Sequence, residues 1–148
     1  MSVPDQSATS PRLSRGFGRV LVLVYAVFGV SASARAIVQI ARDVSEAPVA
    51  YVLSAFAAAI YVVATIALAR DARRTATAAV VIELVGVLVV GALSLTLTEE
   101  FPRATVWSGF GQGYAYVPLV LPFVGLWWLW RTHRAGAPSG SAGGGGVA

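Results

Sequence analysis

Glu83 is the residue of this sequence best placed to do chemistry. It is a single carboxylate inside an apolar stretch, residues 76–97, where such a group can handle a proton or cation, or fasten helices by hydrogen bonding. As an α-helix the stretch reaches ~33 Å, enough to cross a hydrocarbon core of about 30 Å. Glu83 would then lie ~10 Å inside the nearer end, where a charge costs a few kcal/mol unless paired, hydrated or protonated. Helical spacing puts Glu83 on one face with Val87, Val90 and Ser94, flanked by Gly86 and Gly91. Small residues let helices approach closely, so this face is expected to point into a bundle.

A second ionisable group, Arg35, lies in an earlier apolar stretch, and the spacing Ser31, Arg35, Gln39, Arg42 keeps these side chains on one narrow face. An Arg35–Glu83 ion pair is the simplest idea, but depth disfavours it. Counted from the same membrane side, Glu83 sits at ~10 Å and Arg35 at ~25 Å, a gap longer than two side chains comfortably bridge. Arg35 is instead expected to snorkel toward acids beyond its helix, namely Asp43, Glu46, Glu99 or Glu100. The same count places Tyr25 and Tyr61 near Glu83, and a phenolic hydroxyl can donate to a carboxylate or accept from a carboxylic acid.

The third candidate is the run TVWSGFGQGYAYVPLVLP, residues 105–122. Trp107, Phe110, Tyr114 and Tyr116 interleave with glycine and could form an outer-leaflet surface for a lipid or a partner helix. The alternative is a tight turn that re-enters the membrane. Pro118 and Pro122, four apart, bend a helix and free backbone carbonyls on one side. The spaced glycines are no dinucleotide fingerprint, since no strand precedes them and no acidic ribose reader follows.

Four membrane spans would position these groups: residues 17–40, 49–69, 76–97 and 114–130. Residues 1–16 read as a disordered tail and residues 131–148 as a flexible Gly/Ser/Ala-rich one. The reading is all-α, an antiparallel four-transmembrane-helix bundle with both termini on one side. Arginine placement assigns that side. Eight of the eleven arginines (Arg12, Arg15, Arg19, Arg70, Arg73, Arg74, Arg131 and Arg134) fall on the face that carries the termini, so the positive-inside rule makes both termini cytoplasmic. Trp127, Trp128 and Trp130 mark the inner boundary, and Tyr51, Trp107, Phe110 and Tyr114 the outer one, as interfacial aromatics do. A competing topology treats residues 12–34 as a signal peptide, with Ala32-Ser33-Ala34 as its cleavage site. The apolar character that resumes at Ala36 favours a span.

Composition sets the outer bounds. The chain is 57% hydrophobic and 12% charged, against about a quarter charged in a soluble domain, so the expected solvent is the bilayer. The pI near 10.1 comes from arginines scattered beside apolar runs, a pattern that suits membrane topology better than a nucleic-acid stripe. No cysteine is present and His133 is the single histidine. Thiolate catalysis, a His/Cys metal site and haem ligation are therefore not expected, nor is a Ser/His/Asp triad. No metal, no cofactor and no enzymatic activity are anticipated. The chain also lacks lysine and asparagine, whose codons are AT-rich, which suggests a GC-rich bacterial genome.

Ala34-Arg35-Ala36, Ser45-Glu46-Ala47-Pro48, Glu83-Leu84-Val85-Gly86-Val87 and the 105–122 run give the chain a resemblance, over about residues 17–130, to the uncharacterised small four-span integral membrane proteins of high-GC actinobacteria. The resemblance implies four helices in the bacterial inner membrane and carries no activity with it. In outline the chain is also similar to the small multidrug resistance exporters, which place their one membrane glutamate in the first span, where this chain has Arg35. The function expected is an accessory or scaffold subunit of an envelope complex, with the lipid bilayer and a membrane-protein partner as its contacts. The alternative is a homo-oligomeric proton- or cation-coupled transporter or channel using Glu83.

Overall fold

The computed structural model of the protein describes residues 11–42, 45–99 and 101–135, the first four of these by backbone alone. Among the described residues every regular element is helical: α1 (Pro11–Arg42), α2 (Pro48–Ala69), α3 (Arg73–Thr96), a short tight coil over Ser108–Tyr114, and α4 (Val117–Ala135). Three segments are long and apolar enough to cross a membrane: Arg15–Arg42, Pro48–Ala69 and Arg73–Thr96. The coil and α4 make a fourth only if taken together, because their axes bend by 97°. The α1 and α4 ends that carry the termini lie with the α2–α3 turn, here called the terminal end. The α1–α2 connection and residues 97–107 form the distal end.

The first tail is shorter than the composition suggests, since helix begins at Pro11 instead of near residue 17. Proline suits a first helical position because its fixed φ is already helical and its missing N–H has no partner to lose. At the other terminus α4 runs to Ala135, so residues 131–135 are helical too. Residues 1–10 and 136–148, and with them the rest of both expected tails, lie outside the described residues.

Each helix buries one stripe. In α1 it is Gly18, Leu21, Tyr25, Gly29, Ala32 and Ala36, spaced three or four apart so that they share a face. In α2 the stripe is alanine-rich, with Ala50, Ala57, Ala58, Ala64 and Ala67, and it packs against α1 on one flank and α3 on the other. In α3 it is Ala76, Ala79, Val80, Glu83, Val87, Val90 and Gly91. The outward faces are the reverse of a water-soluble protein's: Val30 is 72%, Ile37 67% and Val52 66% exposed, while Glu83 is fully enclosed. Lipid tails satisfy such an apolar perimeter, and helices keep every backbone group paired within it.

Packing passes from α1 to α2 to α3 to α4, and α1 meets α4 only at a few points. Phe17 lies edge-on to Trp127 at 6.0 Å, and Gly18 leaves room for the Trp128 indole, which a Cβ there would meet at 2.6 Å. Above these contacts an apolar groove of about 300 Å³ separates the helices, lined by residues such as Val20, Val24, Val117 and Val120. The four-helix reading therefore holds in part: the helices are present, but the last is short and the bundle is open along its α1–α4 seam.

Candidate functional site

Glu83 stands at the point where every element converges. Tyr25 of α1 donates its hydroxyl to Glu83 Oε2 at 2.8 Å. Tyr61 of α2 also interacts with the carboxyl, yet Oε1 remains buried without a hydrogen bond of good geometry. Trp107 completes the group by donating its indole N–H to the Tyr61 hydroxyl at 3.2 Å. From α4, Gly125 lets the helix close over the site, since a Cβ there would lie 3.2 Å from the Tyr25 hydroxyl. Glu83, Tyr25 and Tyr61 have no exposed surface and Trp107 has 1%. The depth count therefore places the two tyrosines correctly, and this carboxyl faces hydroxyls, not an arginine.

Trp107 reaches the site because the chain after α3 folds back into the bundle. Thr105 Oγ1 accepts from the backbone N–H groups of Trp107 and Ser108, and Ser108 Oγ accepts from Thr105 N–H, so the turn caps itself. Ser94 near the end of α3 accepts from Gly109 N–H at 2.8 Å and pins the turn to the helix. Gly109, Phe110 and Gly111 then follow with φ of 56°, 59° and 81°, a left-handed stretch in which glycine costs nothing and phenylalanine costs of order 1–3 kcal/mol. Two glycines of α3 receive the inserted rings: a Cβ on Gly86 would meet Trp107, and one on Gly91 would meet Phe110, each at 2.5 Å.

The expected aromatic surface is corrected by this fold. Trp107 is turned inward and is core, Phe110 and Tyr114 are half-buried, and only Tyr116 of the four is exposed, at 48%. The physical reason is the re-entrant path, which gives the rings grooves over glycine inside the bundle. Tyr114 packs on Phe28 at 5.7 Å, and Phe28 in turn packs on Tyr61 at 5.6 Å, so an aromatic file links the distal end to the Glu83 site.

Arg35 and Gln39 form a separate cluster. Arg35 donates to the Ala104 carbonyl at 3.1 Å and Gln39 to the same oxygen at 3.4 Å. The Arg35 guanidinium also lies 5.5 Å over the Tyr114 ring. Its expected acid partners are not among these contacts: Glu46 is bound by Arg103 at 2.6 Å and accepts from the Tyr51 hydroxyl at 3.2 Å, while Asp43 and Glu100 lie outside the described residues. Through Glu46 the Arg103 guanidinium is held above its usual pKa. A carbonyl can replace a carboxylate here because Arg35 is half-exposed and keeps its charge near the bundle end. His133 is exposed near the end of α4, and no group of three or more metal-ligating side chains occurs among the described residues.

Compared with protein-family models, curated proteins and solved structures, the chain matches none. Sequence reasoning missed Trp107 as a member of the buried site, since it read that tryptophan as an interfacial anchor. The glycines of α3 at positions 86 and 91 marked a face that admits close neighbours, but nothing local says that the neighbours are the Trp107 and Phe110 rings. It also missed the Ala104 carbonyl, which no side-chain pattern reveals.

Proposed function

We propose that the chain is a multi-pass protein of the bacterial cytoplasmic membrane, with both termini cytoplasmic and the coil plus α4 serving as the fourth crossing. We read it as an accessory or scaffold subunit of an envelope complex, in the high-GC actinobacterial group it resembles. The observation that carries this reading is the enclosure of Glu83. Its hydrogen bond to Tyr25, with the Tyr61–Trp107 bond beside it, ties α1, α2, α3 and the re-entrant segment into one rigid unit. An interhelical bond of this kind is worth about 0.6 kcal/mol on average in a membrane and up to about 1.7. A polar group spent on holding one shape suits a platform that other proteins or lipids recognise. The arginine distribution supports this topology, since eight of the eleven arginines fall on the side of the termini and the α2–α3 turn. Purification from native membranes in mild detergent, with a tag at the C-terminus, tests the reading. A stoichiometric second protein is the expected result, and a pure homo-oligomer would contradict it.

A second reading has one observation in its favour. Glu83 Oε1 is buried without a hydrogen-bond partner, as a site that exchanges a proton or cation would be. In that reading a homo-oligomer handles protons at Glu83, with Tyr25 and Tyr61 beside it. Proton uptake by reconstituted vesicles that disappears in Glu83→Gln is its expected outcome; equal uptake in both proteins removes it.

A further inference from the structure

Eight arginines sit at the terminal end, and the three that remain are Arg35, Arg42 and Arg103. All three line one cleft at the distal end, with a volume of about 520 Å³. Topology offers no reason for cations on this side, because the positive-inside rule places them on the other. Four acids, Asp43, Glu46, Glu99 and Glu100, belong to the same end of the sequence, so what sets these arginines apart is their convergence on one cleft. Glu46 is the one carboxylate among the described lining residues, and it is engaged by Arg103 Nε and Nη2 through a single oxygen. Arg103 is thereby steered toward the cleft with its remaining N–H donors uncommitted to Glu46. Arg35 is similarly anchored through one nitrogen to the Ala104 carbonyl and stacked on Tyr114. Arg42 makes no ion pair among the described residues.

Among the described residues the lining carries three cations and one anion, with Gln39 and Tyr51 as neutral polar neighbours. Guanidinium groups match phosphate, which accepts their parallel N–H donors two at a time. Ala34 and Val38 supply an apolar wall, and Ile37 beside them faces outward. A cleft at the end of the membrane helices, basic within and apolar along the helix side, fits an amphiphile better than a free ion.

We propose that this cleft binds the phosphate of an anionic phospholipid headgroup, held by Arg35, Arg42 and Arg103. Zwitterionic headgroups carry their own cation and are disfavoured where the described lining residues carry more cations than anions. The ligand chemistry is a phosphate with net negative charge, so a soluble phosphate is the other possible source.

The full-length protein is reconstituted into nanodiscs of phosphatidylcholine with and without phosphatidylglycerol, and retained lipid is measured by native mass spectrometry after detergent extraction. Wild type is expected to retain phosphatidylglycerol selectively, and Arg42→Gln to reduce retention by about tenfold, the order expected for losing one charged hydrogen-bonding partner. Arg42→Gln removes no ion pair among the described residues, so it tests the site without disturbing the Glu46–Arg103 pair. Arg70→Gln, at the terminal end, is the control and leaves retention unchanged. Inorganic phosphate is titrated in parallel against thermal unfolding: stabilisation by phosphate that Arg42→Gln abolishes, without lipid selectivity, assigns the same site to a soluble ligand. Equal retention of both lipids with no phosphate effect overturns the proposal, as does an Arg70→Gln loss as large as that of Arg42→Gln, which would mark diffuse charge attraction.

Discussion

The two polar regions of this apolar molecule solve opposite problems. Around Glu83, a carboxyl deep among helices is enclosed by Tyr25, Tyr61, Trp107 and the α4 backbone at Gly125. Around Arg35, cations at the distal end stay half-exposed and lean on a carbonyl, a ring and a single carboxylate. The first region gains from the low dielectric, where a satisfied hydrogen bond is strong and a broken one leaves a costly buried group. The second is half-exposed, where ion pairs contribute little to stability. Burial therefore separates the group that holds the fold from the groups free to recognise something.

That contrast orders the effects of substitution. Gly86→Leu should be the most damaging, because any Cβ there meets the Trp107 ring at 2.5 Å. Displacing a buried tryptophan is expected to cost about 3–5 kcal/mol, seen as loss of the cooperative thermal transition in detergent. Tyr25→Phe follows at about 1–2 kcal/mol, since it leaves Glu83 Oε2 without its 2.8 Å donor. Glu83→Gln should cost less than Tyr25→Phe, because its amide oxygen can still accept from the tyrosine; a larger loss would mean that the charge itself matters. Trp107→Phe, which keeps an aromatic ring but removes the N–H to Tyr61, is expected to cost about 0.5–1.5 kcal/mol in the same assay.

At the open end, Arg103→Gln should leave thermal stability unchanged and insensitive to salt, since both partners of the Glu46 pair are about half exposed. A pKa raised in the folded state stabilises below the unfolded value and loses that benefit only as pH rises past the folded one. For Arg103 that window lies above the ordinary arginine range, so stability from this arginine is constant across neutral pH. A measurable loss in Arg103→Gln would erase the distinction between the two regions.

Much of the fold was legible from periodicity. Three apolar stretches longer than a bilayer is thick read as helices, and the small residues flanking Glu83 marked the face that is buried. Depth counting along antiparallel helices brought Tyr25 and Tyr61 to Glu83, because rise per residue is constant in an α-helix. The coil and α4 were less legible. Their glycines and prolines fit both a surface loop and a re-entrant one, and the choice rests on the fit of Trp107 over Gly86 and Phe110 over Gly91, tertiary matches that no local pattern encodes. Arg35 was assigned acids as partners because charge suggests charge. The backbone carbonyl that it meets belongs to Ala104, 69 residues away, whose own side chain carries no signal.

The most direct test of the central claim, that Glu83 fastens the helices, is a double-mutant cycle between Tyr25→Phe and Glu83→Leu, measured by unfolding of the full-length protein in detergent. The account predicts a coupling of about 1 kcal/mol, the second substitution costing less once the first is made. Additivity within about 0.3–0.5 kcal/mol would contradict it and show that the bond does not hold the bundle together.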